Sequence, residues 1–424
     1  MNININKQFT EENIFGNPYN YSLNEMITVM GEERAKSFFK TLYKAPPKSQ
    51  NQTIKIKDIY SGGDTRKYVF QLKDNYCIET VCIKRKTGTT VCVSTMVGCP
   101  VGCVFCESGS NGFIRNLTPA EIVQQIVLLK EKVNRIVFMG MGEPLLNYDN
   151  LIKSIHILRD RNGLNFPTDG ITVSTVGPLN QLKKLREEHL KIQLTLSLHA
   201  TDQRTRDAVI PHMKGQGVNE VVESVLSYAE RHNRKITIAY LLIPGFNDRN
   251  CDVRQLGRWF RGKNVLINVL QYNETKCGKI QRPNKQQLVA FKARLEEAGL
   301  EVKLRESRGN NIKAACGQLV SEHNKKSIDE LSNVNLHNGR PSNSITGKRP
   351  TTNKQRNSFE GKPQKRHPFA KRKKKMGMVI HRSCLQVTQG RKHSMMLLAQ
   401  KMIFLQHCIK LDITEVKLEH QSYS

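Results

Sequence analysis

Residues 91–106, VCVSTMVGCPVGCVFC, carry four cysteines, and the interpretation of the whole chain starts from them. Cys99, Cys103 and Cys106 are spaced C-x3-C-x2-C, whereas Cys92 stands seven residues ahead of the group. Three thiolates at this spacing can hold a cubane iron–sulfur cluster and leave one iron open to another ligand. Zinc is the alternative, although structural zinc usually takes four ligands and paired C-x2-C spacings. The spacing therefore favours an iron–sulfur cluster over zinc.

Charge and composition limit the class of protein. The chain has 424 residues and a formal net charge of +30, of which half lies in residues 324–424. Such a balance favours a polyanionic partner, with nucleic acid the first candidate. The sequence lacks an 18-residue apolar run and a signal-peptide pattern, so we expect a cytoplasmic protein with no membrane association. Eleven cysteines in such a protein suggest metal-binding or catalytic thiols before structural disulfides.

The chain divides by pattern into four parts. Residues 1–50 predict a short N-terminal helical region, with one or two amphipathic helices over 21–44. Three short alternating segments in 51–90, separated by SGGD and KDN turns, predict a small antiparallel β extension. Residues 91–323 form the core discussed next. Residues 324–424 are a low-complexity basic tail rich in Asn, Ser, Gly, Pro and Lys, which we expect to be mostly disordered.

Strand and helix patterns alternate through residues 91–323. Six short β-branched segments are VCVSTMV, RIVFMG, ITVSTV, IQLTLSLH, ITIAYLLI and VLINVLQY. Helical patterns lie between them, and one further helix precedes a last predicted strand, EVKLRES at 301–307. This alternation predicts an α/β fold with a parallel sheet that is closed or partly closed into a (βα)6 barrel. In such barrels the chemistry gathers at the carboxyl ends of the strands.

Unusual residues follow several of these strands. MGMGEP at 139–144 comes directly after RIVF; its glycines allow close approach to a ligand, and Glu143 could hold an ammonium group. Alone, such an acid is more typical of a tight turn. The ends of later strands carry a further set of polar or capping residues, each more often structural when found singly. These are Ser174, Ser197, Leu198, His199 and Asn273.

The cysteine spacing resembles the radical S-adenosylmethionine (SAM) superfamily, in which the open iron binds the amino and carboxylate groups of SAM. The stretches CVSTMVGCPVGCVFC, GFIRNLTPAEIVQQI, MGMGEPLLNYDN, SLHATDQRTRDAVIP and ESRGNNIKAACGQL further resemble the RlmN/Cfr family of RNA adenine methyltransferases. The resemblance runs from about Thr65 to Leu319, and Cys316 in AACGQL is its most specific feature. It implies a partial (βα)6 radical SAM barrel that holds a [4Fe–4S] cluster through Cys99, Cys103 and Cys106. The implied SAM contacts are Gly142, Glu143, Ser174, Ser197, Leu198, His199 and Asn273.

The resemblance also implies a role for the distant Cys316. In the family, one SAM methylates this cysteine by displacement. A second SAM is cleaved at the cluster, and the 5′-deoxyadenosyl radical takes a hydrogen atom from the methyl group on sulfur. The methylene radical then adds to an adenine carbon. Cys92 matches the thiol that resolves the RNA crosslink through a disulfide with Cys316, and Glu79 matches the proton acceptor.

We therefore expect a monomeric radical SAM methyltransferase that acts on C2 of adenosine in 23S rRNA, and also in tRNA. A one-electron donor such as flavodoxin or ferredoxin would be a partner. Methylation at C8, the Cfr-like resistance activity, is the alternative within the class. A radical SAM activase of another protein and an RNA-binding protein with a zinc-stapled loop are the alternatives outside it. The other cysteines are interpreted as ordinary thiols: Cys77, Cys82, Cys251, Cys277, Cys384 and Cys408.

Overall fold

A computed structural model describes residues 10–45, 48–110, 112–276, 280–320 and 324. The chain divides into the units Met1–Asn338 and Gly339–Ser424, and the second lies outside the described residues. Apart from Asn324, the predicted basic tail therefore falls outside the description, as do Cys277, Cys384 and Cys408.

Three antiparallel strands lead into the main sheet. The strands β1 (Ile54–Gly62), β2 (Thr65–Leu72) and β3 (Cys77–Arg85) pair in sequence order, and β3 pairs antiparallel with β4 (Gly88–Cys92). The sequence predicts these three strands as a separate extension. In the structure they continue the edge of the sheet that carries β4, so their side chains can face the same space as those of the barrel.

A short hairpin follows β4. Its strands are β5 (Met96–Gly98) and β6 (Phe113–Asn116), and the cysteine residues Cys99, Cys103 and Cys106 lie between them. The prediction of VCVSTMV as one strand is thus wrong. The chain leaves the main sheet after Val93 because the hydroxyl of Ser94 donates to the carbonyl of Glu79, and the amide of Thr95 bonds the carbonyl of Met141 instead of continuing the ladder.

The remaining strands build a parallel sheet in chain order. They are β7 (Val133–Phe138), β8 (Ile171–Thr175), β9 (Gln193–Ser197), β10 (Ile236–Leu241), β11 (Val265–Leu270) and β12 (Val302–Arg305). Each pairs parallel with the one before it, starting from β4. The ten-stranded order runs from β1 at one edge to β12 at the other. The predicted α/β class with a parallel sheet is confirmed, and β12 corresponds to the strand predicted at EVKLRES, which extends the six alternating strands by one.

Ten α-helices lie within the described residues. They are α1 (Glu11–Gly16), α2 (Leu23–Met30), α3 (Glu32–Leu42), α4 (Pro119–Val127), α5 (Tyr148–Arg159), α6 (Leu179–Glu187), α7 (Gln203–Val209), α8 (Val218–His232), α9 (Asn250–Phe260) and α10 (Lys285–Glu297). Local signals fix several of their starts. Ser22 with Glu25 and Thr118 with Glu121 form capping boxes, which satisfy amides that the first turn leaves unpaired. None of these helices is both long enough and apolar enough to cross a bilayer.

Two apolar clusters hold these elements together. The larger one runs from the N-terminal helices, including Met26 and Phe39, through the antiparallel strands and into the parallel sheet. The smaller one contains Val101, Val176 and Val209 and packs against the loop that carries the three cysteines. Burial of this kind is the main stabilising contribution to a fold, so the second cluster stabilises the cysteine loop as a packed element of the structure.

Candidate active site

The cysteine loop, defined as residues 99–106, starts from a turn that only glycine can make. Gly98 has a φ of +77°, and a Cβ atom placed there would lie 2.0 Å from the carbonyl oxygen of Gly112. The amide of Cys99 donates to that same carbonyl at 3.0 Å. The close approach of the two backbones therefore sets where the first cysteine sits.

The three thiols of this loop act on one another's pKa within an apolar shell. Burial raises the pKa of Cys99 to about 12 and that of Cys103 well above its usual range. The neighbouring Cys106 raises both pKa values further, and Cys99 also acts on Cys103. Val101 and Phe105 belong to the apolar packing around them. Neutral thiols in such surroundings lose their protons only when a cation takes the protons' place.

Glu143 lies in the segment that follows β7 and is 3% exposed. Its Oε1 accepts hydrogen bonds from the amide of Leu145 and from the hydroxyl of Thr175 at 3.1 and 2.6 Å. Its Oε2 accepts from the amide of Val176 at 2.9 Å. Burial nevertheless raises the pKa of Glu143 to about 7, against the lowering effect of these bonds. The preceding Gly142 has a φ of +106° and packs so closely on Met96 that a Cβ would lie 2.7 Å from that side chain.

The ends of β8 and β9 meet beside Glu143. The hydroxyl oxygens of Ser174 and Ser197 lie 3.3 Å apart. The next residue, Leu198, is fully buried, and its amide donates to the carbonyl of Ala239. The polar ends of two neighbouring strands are therefore within hydrogen-bond range of each other, as their positions in the sequence predict.

His199, the residue after Leu198, has an unusual backbone conformation. It has a φ of +58°, and its Nδ1 accepts a hydrogen bond from the amide of Leu241 at 3.0 Å. Burial lowers the pKa of His199 to about 3, so the ring is neutral and its proton is on Nε2. The ring lies edge-on to Phe105, with 4.8 Å between the ring centres. His199 thus connects the strand end to the cysteine loop.

The segment 313–320, called the Cys316 loop below, is bound to the same face. The side-chain amide of Asn273, which follows β11, donates to the carbonyl of Cys316 at 3.0 Å. The hydroxyl of Ser307 in turn donates to Asn273. The amide of Glu107 donates to the carbonyl of Gly317 at 2.7 Å. Cys316 is therefore placed between a barrel strand and the residue that directly follows Cys106.

Cys92 ends β4 and faces the same space. Burial raises its pKa to about 12, and the nearby Cys316 is the next cause of the increase. Cys92 is paired with Val81 on β3, and Glu79 lies two residues before Val81 on that strand. Because side chains alternate along a strand, Glu79 and Cys92 lie on one face of the sheet. Cys92 and Cys316 are both free thiols, so the predicted disulfide between them is not formed in this structure.

Comparison with known proteins agrees with this geometry. Residues 93–256 match the Radical SAM superfamily. A "Probable RNA methyltransferase" from Rhodopseudomonas palustris is 49% identical over 258 residues, which cover 61% of this chain and 72% of the relative. A "Probable dual-specificity RNA methyltransferase RlmN" from Dictyoglomus turgidum is 42% identical over 275 residues, covering 63% and 79%. The chain belongs to the RlmN/Cfr family of radical SAM RNA methyltransferases.

The solved structure of a radical SAM methyltransferase from Sphaerobacter thermophilus extends this result to the fold. It aligns with a TM-score of 0.67 at 31% identity, over 72% of this chain and 98% of that one. The predicted radical SAM fold is confirmed. Membership of the RlmN/Cfr family further implies a [4Fe–4S] cluster and SAM as the cofactors.

The cysteine loop fits the cluster of an RlmN/Cfr enzyme. Within the described residues, no three His, Cys, Asp or Glu side chains converge on a single metal ion. The three thiols of the loop are nonetheless near enough to act on each other's pKa. A cubane binds each thiolate through a different iron and so suits sulfurs that are near one another but do not meet at a point.

Sequence reasoning missed a buried cation in this RlmN/Cfr site. Arg206 on α7 is 1% exposed, and it donates to the carbonyl of Val176. Its positive charge lowers the pKa of both Cys103 and Glu143. The stretch TDQRTRD around it reads as an ordinary polar helix, so no sequence signal marks Arg206 as buried. A cation at this place favours anionic groups in the cysteine loop.

Sequence reasoning also missed the partners of Glu79. The predicted proton acceptor is 4% exposed, its Oε1 lies 3.1 Å from Nζ of Lys67, and its Oε2 accepts from the amide of Val320 at 3.1 Å. The structure thus brings Glu79, Cys92 and Cys316 to one face, but with the carboxylate engaged in a buried ion pair. The TRKY stretch at 65–68 offers only an alternating strand pattern, which does not reveal a buried lysine.

Proposed function

We propose that this enzyme methylates C2 of adenosine in 23S rRNA, and in tRNA, and that the methyl group is carried on Cys316. Family membership supports RNA methylation, and the structure adds the placement of one thiol. Cys316 lies more than two hundred residues from the cluster cysteines in sequence, yet hydrogen bonds hold it between Asn273 and Glu107. That placement is the observation on which the proposal depends, because an activase would have no need of a thiol there.

The chemistry explains why a protein thiol is required. The ring carbon of adenine is electrophilic and cannot displace the methyl group of SAM, whereas a cysteine sulfur can. Cys316 is therefore the first methyl acceptor. When bound, the cluster and a second SAM supply the one-electron chemistry that removes a hydrogen atom from the methyl group on sulfur. The carbon centre on Cys316 then bonds to the adenine ring.

Two further residues complete the proposed reaction. Glu79 accepts the ring proton as a general base. The Cys92 thiol then gives up its proton and its sulfur bonds to the sulfur of Cys316, while the bond between that sulfur and the transferred carbon breaks. The released CH2 carbon takes up a proton to become the methyl group, and the one electron left over from the radical adduct would pass to the bound cluster, so that methylated RNA and a disulfide remain. The position of Cys92 and Glu79 on one face of neighbouring strands supports both assignments.

The cluster and the SAM contacts are assigned on the same basis. We propose Cys99, Cys103 and Cys106 as the iron ligands and Gly142, Glu143, Ser174, Ser197, Leu198, His199 and Asn273 as the SAM contacts. Glu143 would hold the ammonium group of SAM, since a buried carboxylate with two oxygens already oriented by backbone amides is ready to accept one more charged donor. We further propose a cytoplasmic monomer that receives electrons from a flavodoxin or a ferredoxin.

Nucleoside analysis tests the proposed function. The full chain is expressed in a host that lacks its own enzyme, and 23S rRNA and tRNA are digested and analysed by mass spectrometry. We expect 2-methyladenosine with the wild type and none with Cys316→Ala. Cys251→Ala, a change at an exposed cysteine on α9, is the matched control and should leave the product unchanged.

The same experiment separates the alternatives. Cys92→Ala should trap RNA covalently on the protein, because the crosslink forms but is not resolved. The appearance of 8-methyladenosine in place of 2-methyladenosine would overturn the C2 assignment alone. Full methylation by Cys316→Ala, or no methyladenosine with the wild type, would overturn the proposed chemistry.

A further inference from the structure

Two contacts hold the Cys316 loop at its opposite ends. The ammonium of Lys67 donates to the carbonyl of Lys313 at 3.4 Å, where the loop begins. The carboxylate of Glu79 accepts from the amide of Val320 at 3.1 Å, where the loop ends. Lys67 and Glu79 are themselves ion-paired at 3.1 Å. One ion pair therefore binds both ends of the segment that carries Cys316.

The ion pair is buried, which makes its geometry costly to change. Lys67 is 8% exposed and Glu79 is 4% exposed. Charges removed from water need both a partner and further hydrogen bonds, and a buried charge that loses its partner is strongly destabilising. Here the further hydrogen bonds come from the backbone of the Cys316 loop. The backbone of the loop and the two charged side chains thus serve as each other's hydrogen-bond partners.

The strands place this pair beside the other proposed thiol. In the sheet, Lys67 on β2 is paired with Val81 on β3, and Val81 is paired with Cys92 on β4. Directly paired residues point to the same face, so Lys67 lies in one cross-strand row with Cys92. Residues 313–320 are attached to this row more than two hundred residues later in the sequence. The strands that hold Cys92 also determine, through the ion pair, where Cys316 can lie.

We propose that Lys67 and Glu79 form a clamp on the Cys316 loop, and that Lys67 is a positioning residue that holds the Cys316 thiol opposite Cys92. Its importance for methylation rests on the proposed function. Without the ammonium of Lys67, the buried carboxylate of Glu79 loses its ion pair and turns toward water or another donor. The amide of Val320 then loses its acceptor, and both ends of the loop are released together.

Hydrogen exchange of the full chain, followed by mass spectrometry, measures the clamp directly. We expect Lys67→Met to accelerate exchange in peptides covering 313–320 by at least tenfold, while exchange in β10 stays as in the wild type. The rate at which the Cys316 thiol is alkylated should also differ between Lys67→Met and the wild type. Lys67→Arg keeps the charge and should restore slow exchange. Lys84→Met, a change at an exposed lysine on β3, is the matched control and should have no effect.

A double variant distinguishes local release of the loop from general unfolding of the protein. Lys67→Met combined with Glu79→Gln removes both charges, so no buried charge is left unpaired and the fold should be retained. We expect fast exchange in 313–320 in this variant as well, with slow exchange in β10. Slow exchange in 313–320 in both Lys67→Met and the double variant would overturn the clamp.

The outcome is distinguishable from failure of the proposed function, because exchange requires neither RNA nor SAM. Slow loop exchange in both Lys67→Met and the double variant, with 2-methyladenosine formed by the wild type, overturns the clamp alone. Fast loop exchange in Lys67→Met, with no methyladenosine from the wild type, supports the clamp and overturns the proposed function alone.

Discussion

Glu143 shows how one residue of the site is prepared for a cation. Three donors orient its two oxygens, yet burial still raises its pKa to about 7. Its hydrogen bonds come from an adjacent strand end and its own turn, and the positive charge of Arg206 lies nearby. A carboxyl group in this state gains from any ligand that brings a positive charge, since the ligand offsets the cost of burying the anion. An ammonium group of SAM would do so.

The pKa of Glu143 gives a prediction for stability without cofactors. A carboxyl group whose pKa is higher in the folded state than its ordinary value of 4.5 holds its proton more tightly when folded. Its contribution to stability is therefore greatest below pH 4.5 and decreases as the pH rises to about 7. We expect the free energy of unfolding of the wild type, relative to Glu143→Gln, to fall by roughly 3 kcal/mol across that range.

Denaturant unfolding at a series of pH values checks this. Glu33→Gln, a change at an exposed carboxyl on α3, is the matched control and should give a nearly constant difference from the wild type. A constant difference for Glu143→Gln as well would mean that Glu143 has an ordinary pKa in the folded protein. His199 also has a shifted pKa, but its effect on stability is the same in both proteins and drops out of the difference between them.

At the scale of elements, the cysteine loop and its hairpin act as one packed unit. β5 and β6 bring Gly98 against Gly112, and the smaller apolar cluster covers the loop from the side of α7. The amide of Val104 donates to the carbonyl of Val209 at the end of that helix. The contacts that shape the loop come from the protein itself, which lowers the entropic cost of ordering it around a cluster.

The shape of this loop depends on Gly98 in a way that substitution can measure. Gly98→Ala places a Cβ 2.0 Å from the backbone oxygen of Gly112 and also strains a φ of +77°. Gly63→Ala is the matched control, since Gly63 has a φ of +59° but open space around its Cβ. We expect Gly63→Ala to cost about 1–2 kcal/mol of unfolding free energy and Gly98→Ala about 3 kcal/mol or more.

Iron content after anaerobic reconstitution gives a second measurement for the same pair. Gly98→Ala should bind much less iron per chain than Gly63→Ala, because the backbone must move where Cys99 begins. Equal stability and equal iron content in the two variants would show that the hairpin adjusts freely and does not define the loop.

Elements were predictable from the sequence where their signals are local. The cysteine spacing, the β-branched strands and the strand-end position of Glu143 all depend on residues close together in the chain. The division of VCVSTMV into β4 and β5 was not predictable, because it depends on Ser94 bonding to Glu79 on another strand. The burial of Lys67 and Arg206 was not predictable either, since both depend on segments far away in sequence.

At the scale of the molecule, the site is assembled across nearly the whole of the described chain. The antiparallel strands supply Glu79 and Lys67, the parallel strands supply the polar residues at their ends, and the last described segment supplies Cys316. Because β1–β3 continue the sheet that begins the barrel, their side chains reach the proposed reaction space directly. The positive charge of the chain complements this arrangement, since an RNA substrate is a polyanion.

The distribution of that charge leads to the last prediction. Residues 339–424 contribute half of the formal net charge of +30 and form a unit of their own. Removing them should weaken binding to RNA and reduce the dependence of the affinity on salt, because fewer counterions are released when fewer Lys and Arg side chains contact phosphates. Titration of labelled RNA with the full chain and with residues 1–338, over a range of salt concentrations, measures both slopes.

The methylated nucleoside should be the same for both proteins at low salt, since the proposed site lies within the first unit. Equal salt slopes would show that residues 339–424 take no part in binding RNA, and a lost product at low salt would show that they have a role beyond charge.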